Sequence, residues 1–229
     1  MGGTVRRMPA IAELVGPTDV ESLTAEQVVE TVLERLHPRV ALACSFQKEE
    51  SVLLEMLLER EPQTRVFALD THVLFPETYA LWRELEQRYG IRIEVFEGPS
   101  LGRQAATHGE ALWERNPDLC CSIRKIGPLG AALAGLDGWI TGVRRDQAPS
   151  RAETPKLGWD ERHELWKASP LADWSDEDVW EYVRERDLPV NPLHERGYAS
   201  IGCTHCTQPG TGRQGRWVAS AKSECGLHA

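Results

Sequence analysis

Residues 40–57 read VALACSFQKEESVLLEML: a short apolar run, a polar connection, then a helical period. The run 40–44 has the length of a buried strand, and Val52, Leu53, Met56 and Leu57 recur at helical spacing. Strand, loop and helix form a unit, and the unit repeats. Residues 66–69 (VFAL) lead through Asp70 and Thr71 into a helix expected from about 76 to 89, and 91–96 (IRIEVF) form a third strand. A fourth is expected at 138–143 (GWITGV), after a helical segment from about 121 to 134. On the N-terminal side, Thr24-x-x-Gln27 is a capping-box pattern opening a helix with Val28, Val29, Val32, Leu33 and Leu36 on one face. On the C-terminal side, Ser175-x-x-Asp178 opens a last helix through Val179, Trp180 and Val183. Alternating strands and helices specify an α/β fold, with right-handed crossovers, a parallel sheet and helices on both faces. Ligands in such sheets sit beyond the carboxyl ends of the strands, so the loops to watch are 45–51, 70–76 and 144–151.

The unit spans 1–186, with a flexible start over 1–22 compatible with the pattern. A loop-rich C-terminal segment, 187–229, is punctuated by prolines and glycines and is expected to join the same catalytic unit. The 229 residues are 41% apolar and 27% charged, which excludes a fibrous or wholly disordered chain. No apolar run approaches the roughly 18 residues of a spanning helix, and the first residues lack the apolar stretch of a signal peptide. The expectation is a soluble, cytoplasmic protein. A net charge of −9 argues against general affinity for nucleic acid or an anionic membrane. Within that acidic chain, 120–152 holds five Lys/Arg against two Asp/Glu, and 196–223 holds four against none, which suggests a local anion site.

Six cysteines in a reducing compartment are more often metal ligands or reactive thiols than disulfides. Cys120-Cys121 and Cys203-Thr204-His205-Cys206 offer four thiolates for zinc, an iron–sulfur cluster or redox dithiols. Adjacent cysteines are awkward around a single ion, whereas the separate irons of a cubane relax that demand. Cys225, close to the end of the chain, has no neighbour at metal-ligand spacing and reads as a thiolate nucleophile beside basic loops. Cys44, at a strand end, reads as core. Arg144, Arg145 and Arg151 follow the fourth strand, Arg213 and Arg216 precede Cys225, and Lys125 lies four residues after Cys121. Arginine's planar fork suits phosphate and sulfate oxygens.

Taken in order, SFQKEES (45–51), LDTHVLFPETY (69–79), CCSIRK (120–125), GVRRDQAPSR (142–151), NPLHERGYASIGCTHCT (191–207), GRW (215–217) and ECGLH (224–228) resemble the assimilatory sulfonucleotide reductases. The resemblance runs from about residue 40 to the end. It implies an adenine nucleotide α-hydrolase-like fold and thioredoxin-dependent reduction of adenylyl sulfate, or of its 3′-phosphorylated form, to sulfite. It implies one 4Fe-4S cluster per chain on Cys120, Cys121, Cys203 and Cys206, structural and electrostatic in role, with Lys125 linking it to the substrate anion. Cys225, Lys125 and His228 form the implied catalytic set. By the same resemblance, Arg151, Arg213 and Arg216 would hold the phosphosulfate, with Arg144 and Arg145 as further candidates. Ser45, Leu69 and Gly142 line the nucleotide pocket. Sulfate to sulfite takes two electrons, so the Cys225 thiolate would displace AMP and a thioredoxin thiol would then release sulfite from the S-sulfocysteine.

The four-cysteine set marks, by resemblance, the reductases of the unphosphorylated nucleotide, and Glu49 and Glu50 beside Lys48 would repel a 3′-phosphate. The loop 45–51 lacks the glycines with which ATP pyrophosphatases cradle pyrophosphate, which counts against a nucleotide transferase of that class. A non-catalytic metal-cluster protein would have no use for the ECGLH tail. A homo-oligomer is left open.

Overall fold

The computed structural model describes residues 11–218, 220, 222 and 224–228. Six strands form one sheet: β1 Val40–Ala43, β2 Arg65–Asp70, β3 Glu94–Glu97, β4 Gly138–Ile140, β5 Leu157–Asp160 and β6 Leu165–Ala168, in the spatial order β3-β2-β1-β4-β6-β5. All neighbours pair in parallel except β5 with β6, so the expected parallel sheet carries one antiparallel edge strand. From β1 the chain moves outward to β2 and β3, then returns to β4 on the other side of β1. The crevice between β1 and β4 is therefore the topological switch point, where ligands of open α/β sheets sit.

Side-chain alternation builds two cores. Leu42, Val66, Ala68, Ile140 and Trp166 face the helices Ala25–Leu36, Lys48–Arg60, Pro76–Tyr89 and Asp176–Glu185. Ala41, Phe67, Trp139 and Leu165 face Leu129, Ala132 and Leu133 of the helix Gly127–Leu133. A period of two along each strand places successive residues on opposite faces, so both faces are covered. The expected caps form: Thr24 and Gln27 exchange both capping-box bonds, as do Ser175 and Asp178. Of the leading segment, residues 1–10 lie outside the described residues. Of residues 11–22, Val15 and Val20 are buried in the larger core.

Two features go beyond the sequence reading. The hairpin of β5 and β6 extends the sheet past β4, with Trp159 directly opposite Trp166 and their rings edge to face at 5.4 Å. The helical segment before β4 starts earlier than expected and changes type, running as α-helix over Pro117–Cys121, a π-helical turn over Ser122–Ile126 and α-helix again over Gly127–Leu133. Such turns recur at functional sites, and this one carries Arg124 and Lys125. Gly98 lets the chain after β3 pass it closely, because a Cβ there would lie 2.7 Å from the Ile123 carbonyl oxygen.

Candidate active site

A cavity of about 960 Å³, including its open mouth, lies at the switch point. Its base is apolar: Ala43 of β1, Phe67 and Leu69 of β2, Trp139 of β4 and Leu129. Ser45, Gln47 and Glu50 enter from the loop and helix after β1, and Gly142 and Val143 from the exit of β4. Arg151, Arg213, Arg216 and Lys125 bring cations, and Cys225, Leu227 and His228 close one side. The cavity thus gathers Ser45, Leu69, Lys125, Gly142, Arg151, Arg213, Arg216, Cys225 and His228. Gly142 is required by close approach: a Cβ would sit 2.6 Å from Glu50 Oε1 and 2.7 Å from Glu49 Cβ.

Arg144 and Arg145 do not belong to this set, which corrects the expectation for them. Arg144 turns away into an acidic nest beneath the loop, with Nε donating to Glu49 Oε1 at 3.0 Å, Nη1 to both Asp146 oxygens at 2.6 Å and Nη2 to Asp176 Oδ1 at 2.9 Å. Arg145 points to the N-terminal segment, pairing with Glu21 at 2.5 Å and donating to the Thr154 carbonyl. Glu49, which would repel a 3′-phosphate only if it faced the ribose, is likewise tied up with Arg144 and Gln147.

Glu50 is the carboxylate that the loop after β1 presents to the cavity. Its Oε2 accepts from Ser45 Oγ at 2.6 Å and from the Gln47 N–H at 3.3 Å. Burial, with the neighbouring Glu49 charge, raises its pKa to about 7. Cys44, next to the loop, is buried as expected, and burial pushes its thiol up.

The tail is fastened at several points. Glu224 accepts from Arg151, Arg213 and Ser150. Arg162 donates to the Gly226 carbonyl at 2.9 Å, Leu227 packs on the second core, and the His228 ring stacks on Trp139 at 5.6 Å and 8°. Burial, then Lys167 and the arginines, holds the His228 pKa well below its ordinary value, leaving a neutral ring. For Cys225, burial opposes ionisation, but Lys125, the Leu227 N–H, Arg216 and Arg213 outweigh it and lower the pKa. The opposite holds for Cys120, Cys121 and Cys206, whose thiols burial raises, that of Cys206 to about 11.

These three and Cys203 line a second, smaller pocket behind the first, together with Trp113, Arg124, His205 and Trp217. Lys125 borders both pockets. Arg124 is 1% exposed, and while Nη1 donates to the Thr71 carbonyl at 2.9 Å, its Nε and Nη2 have no partner among the described residues. The indole N–H groups of Trp113 and Trp217 are also unpartnered there. Buried donors are rarely left unpaired, so a pocket of four thiols ringed by unpaired donors and cations fits an anionic, sulfur-ligated group. Glu224, Glu50, Gln147, Arg124 and Trp139 carry no spacing signal in the sequence; only the ECGLH tail and the basic loops hinted at the first.

Comparison with known proteins agrees with this geometry. The profile of the phosphoadenosine phosphosulfate reductase domain matches residues 39–209. An adenosine 5′-phosphosulfate reductase of Salinibacter ruber is 46% identical over 195 residues, covering 82% of this chain and 77% of its own. A phosphoadenosine 5′-phosphosulfate reductase of Gloeobacter violaceus is 43% identical over 218 residues, covering 91% and 90%. The crystal structure of a phosphoadenylyl-sulfate reductase from Candida auris, a phosphate complex, superimposes with a TM-score of 0.73 at 29% identity, covering 82% of this chain and 91% of that one. On sequence, sheet topology and site geometry alike, the chain belongs to the phosphoadenosine phosphosulfate reductase domain family.

Proposed function

We propose that the protein reduces adenylyl sulfate to sulfite and AMP, with Cys225 as the nucleophile and a thioredoxin-type dithiol protein as the reductant. The observation that carries this reading is Cys225, a buried thiol biased toward thiolate by Lys125, Arg216 and Arg213, on the wall of a cation-lined cavity at the switch point of the sheet. The Cys225 sulfur attacks the sulfate sulfur, a Cys–S–SO₃⁻ bond forms, and the S–O bond to AMP breaks with its electron pair leaving on the phosphate oxygen. In this reading Arg151, Arg213 and Arg216, which border the cavity, would hold the phosphosulfate oxygens and the charge that moves toward AMP. A dithiol then attacks Cys225 Sγ and expels sulfite, and its second thiol resolves the mixed disulfide, so the two electrons gained by sulfur come from one dithiol becoming a disulfide.

The four cysteines of the smaller pocket would hold a 4Fe-4S cluster. When bound it would supply a buried charge next to Lys125. Its chemistry suits the thiols better than zinc: the ligand atoms that converge within 4.8 Å in threes among the described residues are those of Asp70, His72 and Glu97, not the thiols. One tetrahedral zinc, with Zn–S bonds of ~2.3 Å, needs sulfurs about 3.8 Å apart.

Glu50 speaks against an ATP-pyrophosphatase-type reaction. It occupies the N-terminus of the helix Lys48–Arg60, where a glycine loop would cradle pyrophosphate. The test is kcat/KM for adenylyl sulfate and its 3′-phosphorylated form, at equal iron content and with one reduced thioredoxin. A higher value for adenylyl sulfate is expected. Equal values or a preference for the phosphorylated form would assign the second substrate instead, and no sulfite from either would remove the reading.

A further inference from the structure

The Glu224 carboxylate sits in a cradle that would serve an oxyanion equally well. Arg151 Nε donates to Oε1 and Nη2 to Oε2, both at 3.1 Å, Arg213 Nη2 donates to Oε2 at 2.9 Å, and Ser150 Oγ to Oε1 at 3.2 Å. A guanidinium fork with a second cation and a hydroxyl is the donor set expected around sulfate or phosphate. The two arginines come from loops that meet only in the folded chain, one after β4 and the other in the C-terminal segment, and both border the cavity. Arg151 is 9% exposed, and two guanidinium groups brought together under burial need an anion between them. Arg151 is held in turn by Gln147 Oε1, which accepts from Nη1 at 2.5 Å, and Gln147 donates to Glu49. The cradle is thus braced from below independently of Glu224. Glu224 keeps 22% of its side chain exposed and is followed at once by Cys225. On the other side of Cys225 the tail has separate fastenings, through Arg162 to Gly226 and through His228 on Trp139.

We propose that Glu224 is the built-in occupant of the Arg151–Arg213 anion site, and that the anionic group of the substrate displaces it, freeing the Cys225 arm of the tail while residues 226–228 stay docked. The inference rests on the reading of this cavity as the sulfonucleotide site. It makes anion binding and release of the nucleophile one event, since the same two guanidinium groups cannot hold both carboxylate and oxyanion. Glu224 then acts as a competitor of the substrate, and its removal tightens binding.

Calorimetry separates the two claims. In a Cys225→Ser background, where no transfer occurs, adenylyl sulfate and inorganic sulfate are titrated with and without Glu224→Gln, at matched iron content and thermal midpoint. The expected result is tighter binding of both by roughly five- to tenfold with Glu224→Gln, and near-parental affinity with Glu224→Asp. Equal or weaker binding of both in Glu224→Gln overturns the exchange. Failure of the Cys225→Ser protein to bind adenylyl sulfate at all would instead overturn the functional reading, with the inorganic sulfate titration still reporting on Glu224. A second measurement uses the chain with Cys225 intact: anaerobic alkylation of Cys225, followed by peptide mass, is expected to accelerate severalfold on adding inorganic sulfate, and to be fast and insensitive to sulfate in Glu224→Gln. A rate unmoved by sulfate in the parent chain contradicts the proposal.

Discussion

Two carboxylates of the chain are held in different ways: Glu50, which lines the cavity from the helix after β1, and Glu224 of the tail, which is bound by the cavity-lining Arg151 and Arg213. Glu50 is held by neutral donors, the Ser45 hydroxyl, the Gln47 N–H and the Gly142 backbone, and no cation pairs with it among the described residues. It is 5% exposed, and burial lifts its pKa. For Glu224, burial also works against the charge, but Arg151, from the loop after β4, and Arg213, earlier in the same C-terminal segment, outweigh that and hold its pKa below the ordinary carboxylate range. A carboxylate held by neutral donors leaves no cation for a ligand to take over, whereas one held by cations does, which is the premise of the proposed exchange. With the proposed function, the comparison accounts for a fold that forgoes a pyrophosphate cradle at Glu50 while keeping cations for an oxyanion at Arg151 and Arg213.

The sharpest way to break this comparison is to remove the cations. Arg151→Leu should lower kcat/KM by about a hundredfold while leaving the fold intact, because the lost partner is an exchangeable anion. Arg144→Leu, only seven residues earlier, should behave differently. It takes one of two cations from the buried Glu49 and from Asp176, leaving both to Lys48 alone, and should cost about 1–3 kcal/mol of stability read as a lowered urea midpoint. If the two variants lost activity alike at unchanged stability, the division between cavity and acidic nest would be wrong.

A smaller effect sharpens the other half. The Glu50 pKa is raised from the ordinary 4.5 to about 7, so the folded chain binds a proton that the unfolded chain has released between those values. Its contribution to stability therefore falls as pH rises from about 4.5 to 7. Glu50→Gln should flatten the fall of the thermal midpoint over that window, and an unchanged pH profile would mean that Glu50 is not the buried, uncompensated carboxylate described.

Much of the fold was legible because it is written locally. The apolar run at 40–44, the caps at Thr24 and Ser175 and the helical period after Ser51 each specify an element without help from distant residues. The β5–β6 hairpin was not legible, because its strands are four residues long and residues 161–164 contain no glycine or proline. Its turn is made instead by Asp160, whose Oδ1 accepts from the Arg162 and His163 N–H groups. The site divides the same way. The tail cysteine and the basic loops could be seen in the sequence, but three arginines within eight residues look alike there. What sorts Arg144 and Arg145 from Arg151 is the position of Glu49, Asp176, Glu21 and Glu224, all far away along the chain. The π-helical turn that carries Arg124 and Lys125 has no comparable sequence signal.

The central claim is that Cys225 forms a bond to the sulfur of the substrate. The direct measurement is anaerobic incubation of the protein with adenylyl sulfate and no reductant, followed by intact mass and peptide mapping. The account predicts a sulfonate adduct on Cys225, one per chain, that is absent in Cys225→Ser and is discharged as sulfite when a reduced dithiol protein is added. Sulfite production that persists in Cys225→Ser, or an adduct mapping to any other cysteine, would contradict it.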